Sequence, residues 1–272
     1  MKKWFLLMVS LTFGFIGGCG SGNMFEGQEG KLTAEAKKFA TSSALDSGDY
    51  ASILSDPSNA NPIDYAAAAM GAAGLDPVKL IQTLTDVASG TNKTDLSAVV
   101  NSIKIDTNAL DELQTAKDKL KEALVTDPDN SDLKLQVALT SLTSTLTAVA
   151  QVGENLGVAN LDLSDGLSET EAAAIGTKIG SIPTADLATS LVVNTTGTGS
   201  PATLLTDVVS DDVSNIVNNL DALPSGSNLR TVLNDSMQGE QGLNKDGSKD
   251  TKGNPTISAT EISSYYSNIL GK

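Results

Sequence analysis

The 272 residues contain no histidine, one cysteine, Cys19, and one arginine, Arg230. Without imidazole or a second thiol, Ser-His-Asp and Cys-His nucleophilic systems are excluded. So are imidazole or multi-thiolate zinc sites and histidine-ligated haem. A single guanidinium leaves no cluster of planar forks for phosphate or nucleic acid. Aromatic residues are 4% of the chain, and no Trp- or Tyr-rich stretch marks a carbohydrate cleft. Basic residues are outnumbered 18 to 33 by acidic ones, giving a net charge of -15. That surface repels nucleic acid and anionic lipid and suits cationic partners or simple solubility.

What is present begins with Lys2 and Lys3, an apolar run from Trp4 to Ile16, and the small pair Gly17 and Gly18. Basic start, short apolar segment and small residues are the parts of a secretory signal. The run falls short of the roughly 20 residues a transmembrane helix needs. The quartet Ile16-Gly17-Gly18-Cys19 resembles the lipobox of bacterial lipoproteins. That resemblance implies removal of residues 1–18 and acylation of Cys19, palmitate included, with more than one chain giving stable membrane attachment. Gly20 resembles the sorting signal for the outer membrane, on the periplasmic side. Residues 19–31, Gly-rich and polar, read as a flexible tether.

Beyond residue 32 the punctuation is helical. Asn61, Asp76 and Ser200 each stand directly before a proline and open an apolar-periodic run, the pairing of side-chain cap and N1 proline. Ser168 with Glu171 and Ser258 with Glu261 have capping-box spacing. Further starts are expected at Thr184, Asp211 and Ser227. Over residues 131–153, Leu135, Leu139, Leu142, Leu146 and Val149 recur every three or four positions, one apolar stripe of a helix. Strand-like alternation never persists, so the expected fold is all-α, with ten or more helices.

Asp56-Pro57-Ser58-Asn59 recurs as Asp127-Pro128-Asp129-Asn130, a separation of about two 34-residue tetratricopeptide periods. Ala116, Leu120, Ala123 and Pro128 have the small, large, small, proline spacing of that repeat's second helix. Over residues 33–150 the chain resembles degenerate tetratricopeptide-like lipoproteins of Gram-negative bacteria, although the stretch between Tyr50 and Asp56 is too short for a full second helix. The resemblance implies an irregular array of antiparallel hairpins that binds a partner protein. An unrelated all-α bundle is the alternative. The expected divisions are a TPR-like region over residues 32–156 and a C-terminal helical region over 157–272, packed on the first.

Three further patterns have the residue types of reactive or ligand-binding sites. Gly197-Thr198-Gly199-Ser200-Pro201-Ala202 fits a dinucleotide fingerprint but lacks the strand-helix alternation around it. Within residues 244–261, which include Lys245, Asp246 and Gly247, a calcium loop counted from Asp250 puts Asn254 fifth, Ile257 eighth and Glu261 twelfth. It also puts Lys252 at a ligand position and Pro255 at the glycine position, so these residues read as a polar loop before a Ser258-capped helix. The carboxylate pairs Asp111-Glu112, Asp162-Asp165 and Asp211-Asp212 are expected at exposed helix starts. No catalytic, cofactor or metal residue is assigned, and Cys19 is the one modification site. The expected function is a lipid-anchored, non-catalytic scaffold or protein-binding module of the envelope. The alternative is a transport or assembly accessory holding a small ligand in a helical pocket.

Overall fold

Small residues at helical spacing and strong caps allow many short helices to pack closely. The computed structural model describes residues 40–57, 60–75, 82, 105–159, 161–164, 166–193, 203–223, 225–240 and 242–267. The expected signal segment, the lipobox-like quartet with Cys19, the expected tether, the Asp76-Pro77 start and residues 197–202 lie outside these. From residue 41 the chain is helical to 47, and then the main elements follow: α1 (Tyr50–Leu54), α2 (Pro62–Ala72), α3 (Leu110–Thr126), α4 (Ser131–Asn155) and α5 (Glu169–Gly180). Next come α6 (Leu187–Ser190), β1 (Val192–Val193), β2 (Thr203–Leu204), α7 (Leu205–Asn218), α8 (Asn228–Gln238) and α9 (Ala259–Tyr265). The fold is mostly helical. The single described sheet is one antiparallel pair, Val192 opposite Leu204 and Val193 opposite Thr203.

The caps act as their residue types dictate. The Asn61 side chain accepts the Ile63 N–H ahead of Pro62. Asn130 accepts from Asp132 and Leu133, and Ser227 from Arg230. Ser168/Glu171 and Ser258/Glu261 form complete capping boxes. Each such cap is worth about 1 kcal/mol. Two expected starts differ. Thr184 opens a 3-10 turn ahead of the short α6. Asp211 lies inside α7, which begins at Leu205, because Leu205, Val208, Val209, Val213 and Ile216 form a continuous buried stripe across it.

From Thr41 onward the described residues form one compact unit, with one apolar core running from Tyr65 to Tyr266. Helix α4 is its axis. The stripe Leu139, Leu142, Leu146 and Val149 is buried, but so is every residue from Val137 to Gly153. The expectation of a single buried stripe is therefore corrected: α4 is enclosed on all sides. Its remaining faces carry Ser, Thr and Ala, short enough for α3 and α7 to approach from other directions. Among the described residues it is the one helix long and apolar enough to cross a membrane, and here it is buried among other helices. Its hydroxyls are handled locally in part, as where Thr143 Oγ1 donates to the Leu139 carbonyl at 2.9 Å.

Glycines set the closest approaches. Helix α9 crosses α5 at Gly176, whose carbonyl accepts from Ser263 Oγ at 2.7 Å. A Cβ on Gly176 would sit 2.6 Å from the Ser267 backbone nitrogen and 2.8 Å from the Ser263 carbonyl oxygen. Neither backbone atom can rotate away, so the two helices would have to separate. Gly176→Val is expected to lower unfolding stability by about 1–3 kcal/mol, read as a reduced urea midpoint at unchanged slope.

Candidate functional site

Two clusters of ionisable residues stand out among the described residues, one inside the helical core and one on the terminal loop. In the core, α3 buries Leu113, Ala116 and Leu120 on one face, and Lys117 lies on that same face. On α7, Asp212 stands among Val208, Val209, Val213 and Ile216. The two side chains are 1% and 0% exposed and form a direct ion pair. Asp212 also accepts from Thr145 Oγ1 at 3.2 Å, and the nearby Ser144 hydroxyl helps to hold its carboxyl down. Gln114 Nε2 in turn donates to Ser144 Oγ at 3.0 Å. Asp211 lies 3.6 Å from Lys117 and 3.0 Å from Lys121.

The expectation that Asp211 and Asp212 flank an exposed helix start is corrected by this geometry. Asp211 is half exposed, and Asp212 is wholly enclosed. Burial pushes the Asp212 carboxyl up to about 6, with Lys117 and the Ser144 hydroxyl holding it from rising further. Burial also acts on Asp211, but Lys117, Lys121 and Asn215 outweigh it and leave that carboxyl below its ordinary value. With both members of the central pair sealed from solvent, the arrangement fastens α3, α4 and α7 and presents no reacting atom at a surface. A signal for it existed in the sequence: each helix carries one charge on its apolar stripe, and the two charges are opposite in sign.

The other carboxylate pairs are separated in role. Asp111 and Glu112 do begin α3, partly buried, and desolvation with the neighbouring Glu112 raises Asp111. Exposed Asp162 accepts from the Ser164 hydroxyl at 2.6 Å and its N–H at 3.1 Å, while Asp165 lies outside the described residues. The glycine pattern over 197–202 also lies outside them. The flanking β1 and β2 run antiparallel, whereas a dinucleotide site needs a strand leading directly into a helix within a parallel sheet.

The terminal loop is ordered by its own polar groups. Gly242 and Leu243 turn back on α8, and Asn244 N–H donates to the Met237 carbonyl at 2.8 Å. Asp246 Oδ1 accepts the Ser248 N–H at 2.8 Å, with Gly247 at φ +67° between them. The Ser248 backbone and hydroxyl, with smaller help from Glu261 and Lys245, hold the Asp246 carboxyl below its ordinary value. Residues 248–255 form a small hairpin, closed by a Lys249–Pro255 bridge and by Thr256 N–H to the Ser248 carbonyl at 3.0 Å. Asp250 serves the hairpin tip, accepting from Lys252 N at 2.8 Å and Asn254 N at 2.9 Å. Asp250 and Asn254 thus pair with each other, and Glu261 Oε2 caps α9 through the Ser258 N–H and hydroxyl, both at 2.9 Å. Gln238, Asn244, Lys245, Asp246, Gly247 and Lys249 line a cavity of about 220 Å³ beside this loop.

Comparison of the chain with protein-family models, curated proteins and solved structures gave no match.

The buried pair generates two predictions. Asp212→Ala leaves the Lys117 ammonium enclosed with Asp211 as its remaining counter-charge, and a loss of about 3–5 kcal/mol is expected by urea denaturation. The double variant Lys117→Met/Asp212→Leu is expected to recover most of that loss, since well-packed apolar replacements of buried pairs are neutral or stabilising. Stability of the wild-type chain should also depend on pH through Asp212. Below about pH 4 its carboxyl is protonated in folded and unfolded chains alike, given ordinary and folded values of 3.8 and about 6. Between these values the unfolded chain releases a proton that the folded chain retains, so stability falls as pH rises. Above them the difference is constant, a cost on the order of 3 kcal/mol from this group. Denaturation curves of both chains at pH 4 and 7 should show the wild type losing, relative to the double variant, about that decrement as pH rises, while lowered carboxylates such as Asp246 and Asp250 act alike in the two chains.

Proposed function

We propose that this chain is a lipid-anchored cell-envelope protein acting as a non-catalytic helical scaffold or protein-binding module. The observation that carries the reading is Cys19, the single thiol, directly after Ile16-Gly17-Gly18 and a basic, apolar lead. The described structure supports it in a second way. The buried ion pair of Lys117 with Asp212 is sealed, and Glu171 is engaged in a helix cap. Those ionisable groups serve the fold. The enclosed α4 gives a rigid body suited to presenting a surface.

The TPR-like element of the proposal is the pair α3 and α4, joined by residues 127–130 and packed together, with α2 against α3. Ala116 and Leu120 are buried, and Ala123 lies against the same core, as small and large residues of a closely packed hairpin should. Lys119 adds a contact between α2 and α3, its ammonium 5.4 Å from the centre of the Tyr65 ring. The periplasmic face of the outer membrane is the proposed address, with another envelope protein as partner.

Expression of the full chain in a Gram-negative host tests the anchor. The wild type is expected in the membrane fraction and labelled by a palmitate analogue; Cys19→Ser should lose the label and leave that fraction. Identical labelling and fractionation of the two chains would overturn the proposal.

A further inference from the structure

The terminal loop contains a pattern that the hairpin over residues 248–255 interrupts along the chain. A helix-loop-helix calcium loop takes side-chain oxygens at positions 1, 3 and 5, a sharp glycine turn at 6, and a glutamate at 12 on the exiting helix. Counted from Asp250, that pattern fails at Lys252 and Pro255. Counted from Gly242, it places Asn244 third, Asp246 fifth and Gly247 sixth, and Gly247 has the left-handed φ of +67° that the turn requires. The missing glutamate appears once the hairpin over residues 248–255 is set aside. Its ends are joined by the bond from Thr256 N–H to the Ser248 carbonyl. The loop path therefore resumes at Thr256, and five residues, 256–260, lead to Glu261. Five is the spacing between the glycine and the glutamate of an unbroken loop. Along the chain α8 precedes this loop and α9 follows it, and Ser258 caps the second.

An independent observation points to a ligand. Asn244 is 2% exposed and Glu261 4%, and Asn244 Oδ1 and Glu261 Oε1 are buried without any hydrogen-bond partner. Leaving such acceptors unmatched costs free energy that a bound cation would offset. Asn244 shares its cavity with Asp246, and Glu261 acts on Asp246 across the hairpin, helping to hold that carboxyl below its ordinary value. Lys245 and Lys249 border the cavity, yet neither is among the ion pairs of the described residues.

We propose that Asn244, Asp246 and Glu261 form a divalent-cation site, an interrupted calcium loop whose halves are brought together across the hairpin. The donors are all oxygen, mixed between amide and carboxylate, which suits a hard cation of calcium's size. No group of three or more Asp, Glu, His or Cys side chains converges among the described residues, so the site's charge is low. Gly242 supplies no side chain at position 1. Both features place the affinity in the weak range of extracellular calcium modules, a Kd of about 0.1–1 mM. This inference stands apart from the anchor and from the scaffold role.

Calorimetric titration of calcium chloride into the purified full chain tests it, with melting followed in EDTA and in excess calcium. Saturable binding in that range and a higher Tm with calcium are expected. Asp246→Asn keeps the oxygen that accepts the Ser248 N–H while removing the charge, so it should melt normally in EDTA and bind calcium about tenfold or more weakly. Asn244→Ser is the second variant, with the same expected loss. Absence of saturable binding up to ~10 mM, well above the weak range, overturns the proposal, as does undiminished affinity in both variants. In those cases a proton shared between Asp246 and Glu261 accounts for their interaction.

Discussion

Lys117 and Asp212 neutralise each other in a place where neither charge would be tolerated alone, and the arrangement of the three central helices depends on that requirement. Taking an ammonium and a carboxylate out of water costs several kcal/mol per ion. The cost is offset only while α3, α4 and α7 keep the register that delivers Lys117, Ser144, Thr145 and Asp212 to one point. A slide or rotation of any one helix would leave a buried charge unmatched. Apolar side chains could fill the same volume but would accept many neighbouring packings; the ion pair accepts few. The pair is therefore better understood as fixing a unique arrangement than as a source of stability.

Around that fixed point the structure is assembled from small residues. The Ser, Thr and Ala faces of α4 let neighbours close on it from every side, and Gly176 does the same where α9 crosses α5. Close approach favours dispersion contacts and leaves little room for large cavities. Low aromatic content and tight helix packing are thus two aspects of one design. A hydroxyl on an enclosed helix can return to a carbonyl one turn earlier, as Thr143 does to Leu139, which lets a chain rich in serine and threonine be buried without strands.

Much of the fold is legible in local residue order, because helix ends are governed by side chains within a few positions of each other. Asn61-Pro62, Ser168/Glu171, Ser227 and Ser258/Glu261 each start the helix their chemistry dictates. The long apolar period over α4 is equally plain. Less legible were the starts at Thr184 and Asp211. A hydroxyl or carboxylate that suits a cap also occurs within a turn or a helix, and the apolar stripe from Leu205 to Ile216 prevails over the polar signal at Asp211. The enclosure of α4 could not be read from one stripe, since Ser, Thr and Ala are compatible with either water or a close neighbour.

The sequence by itself determined the helical class, the capped starts, and the exclusion of Ser-His-Asp and Cys-His nucleophilic systems, for each is set by composition or by contacts a few residues apart. It also carries the lipobox-like quartet ending at Cys19. Tertiary structure decided which charges face inward: residues 95 positions apart, Lys117 and Asp212, become partners only when α3 and α7 pack against α4. It likewise decided the relation of Asp246 to Glu261, which a hairpin separates along the chain and a closed turn reunites. Both pairings join distant parts of the chain, and the free energy that selects them is that of burial and charge matching, neither of which has a fixed spacing along a polypeptide.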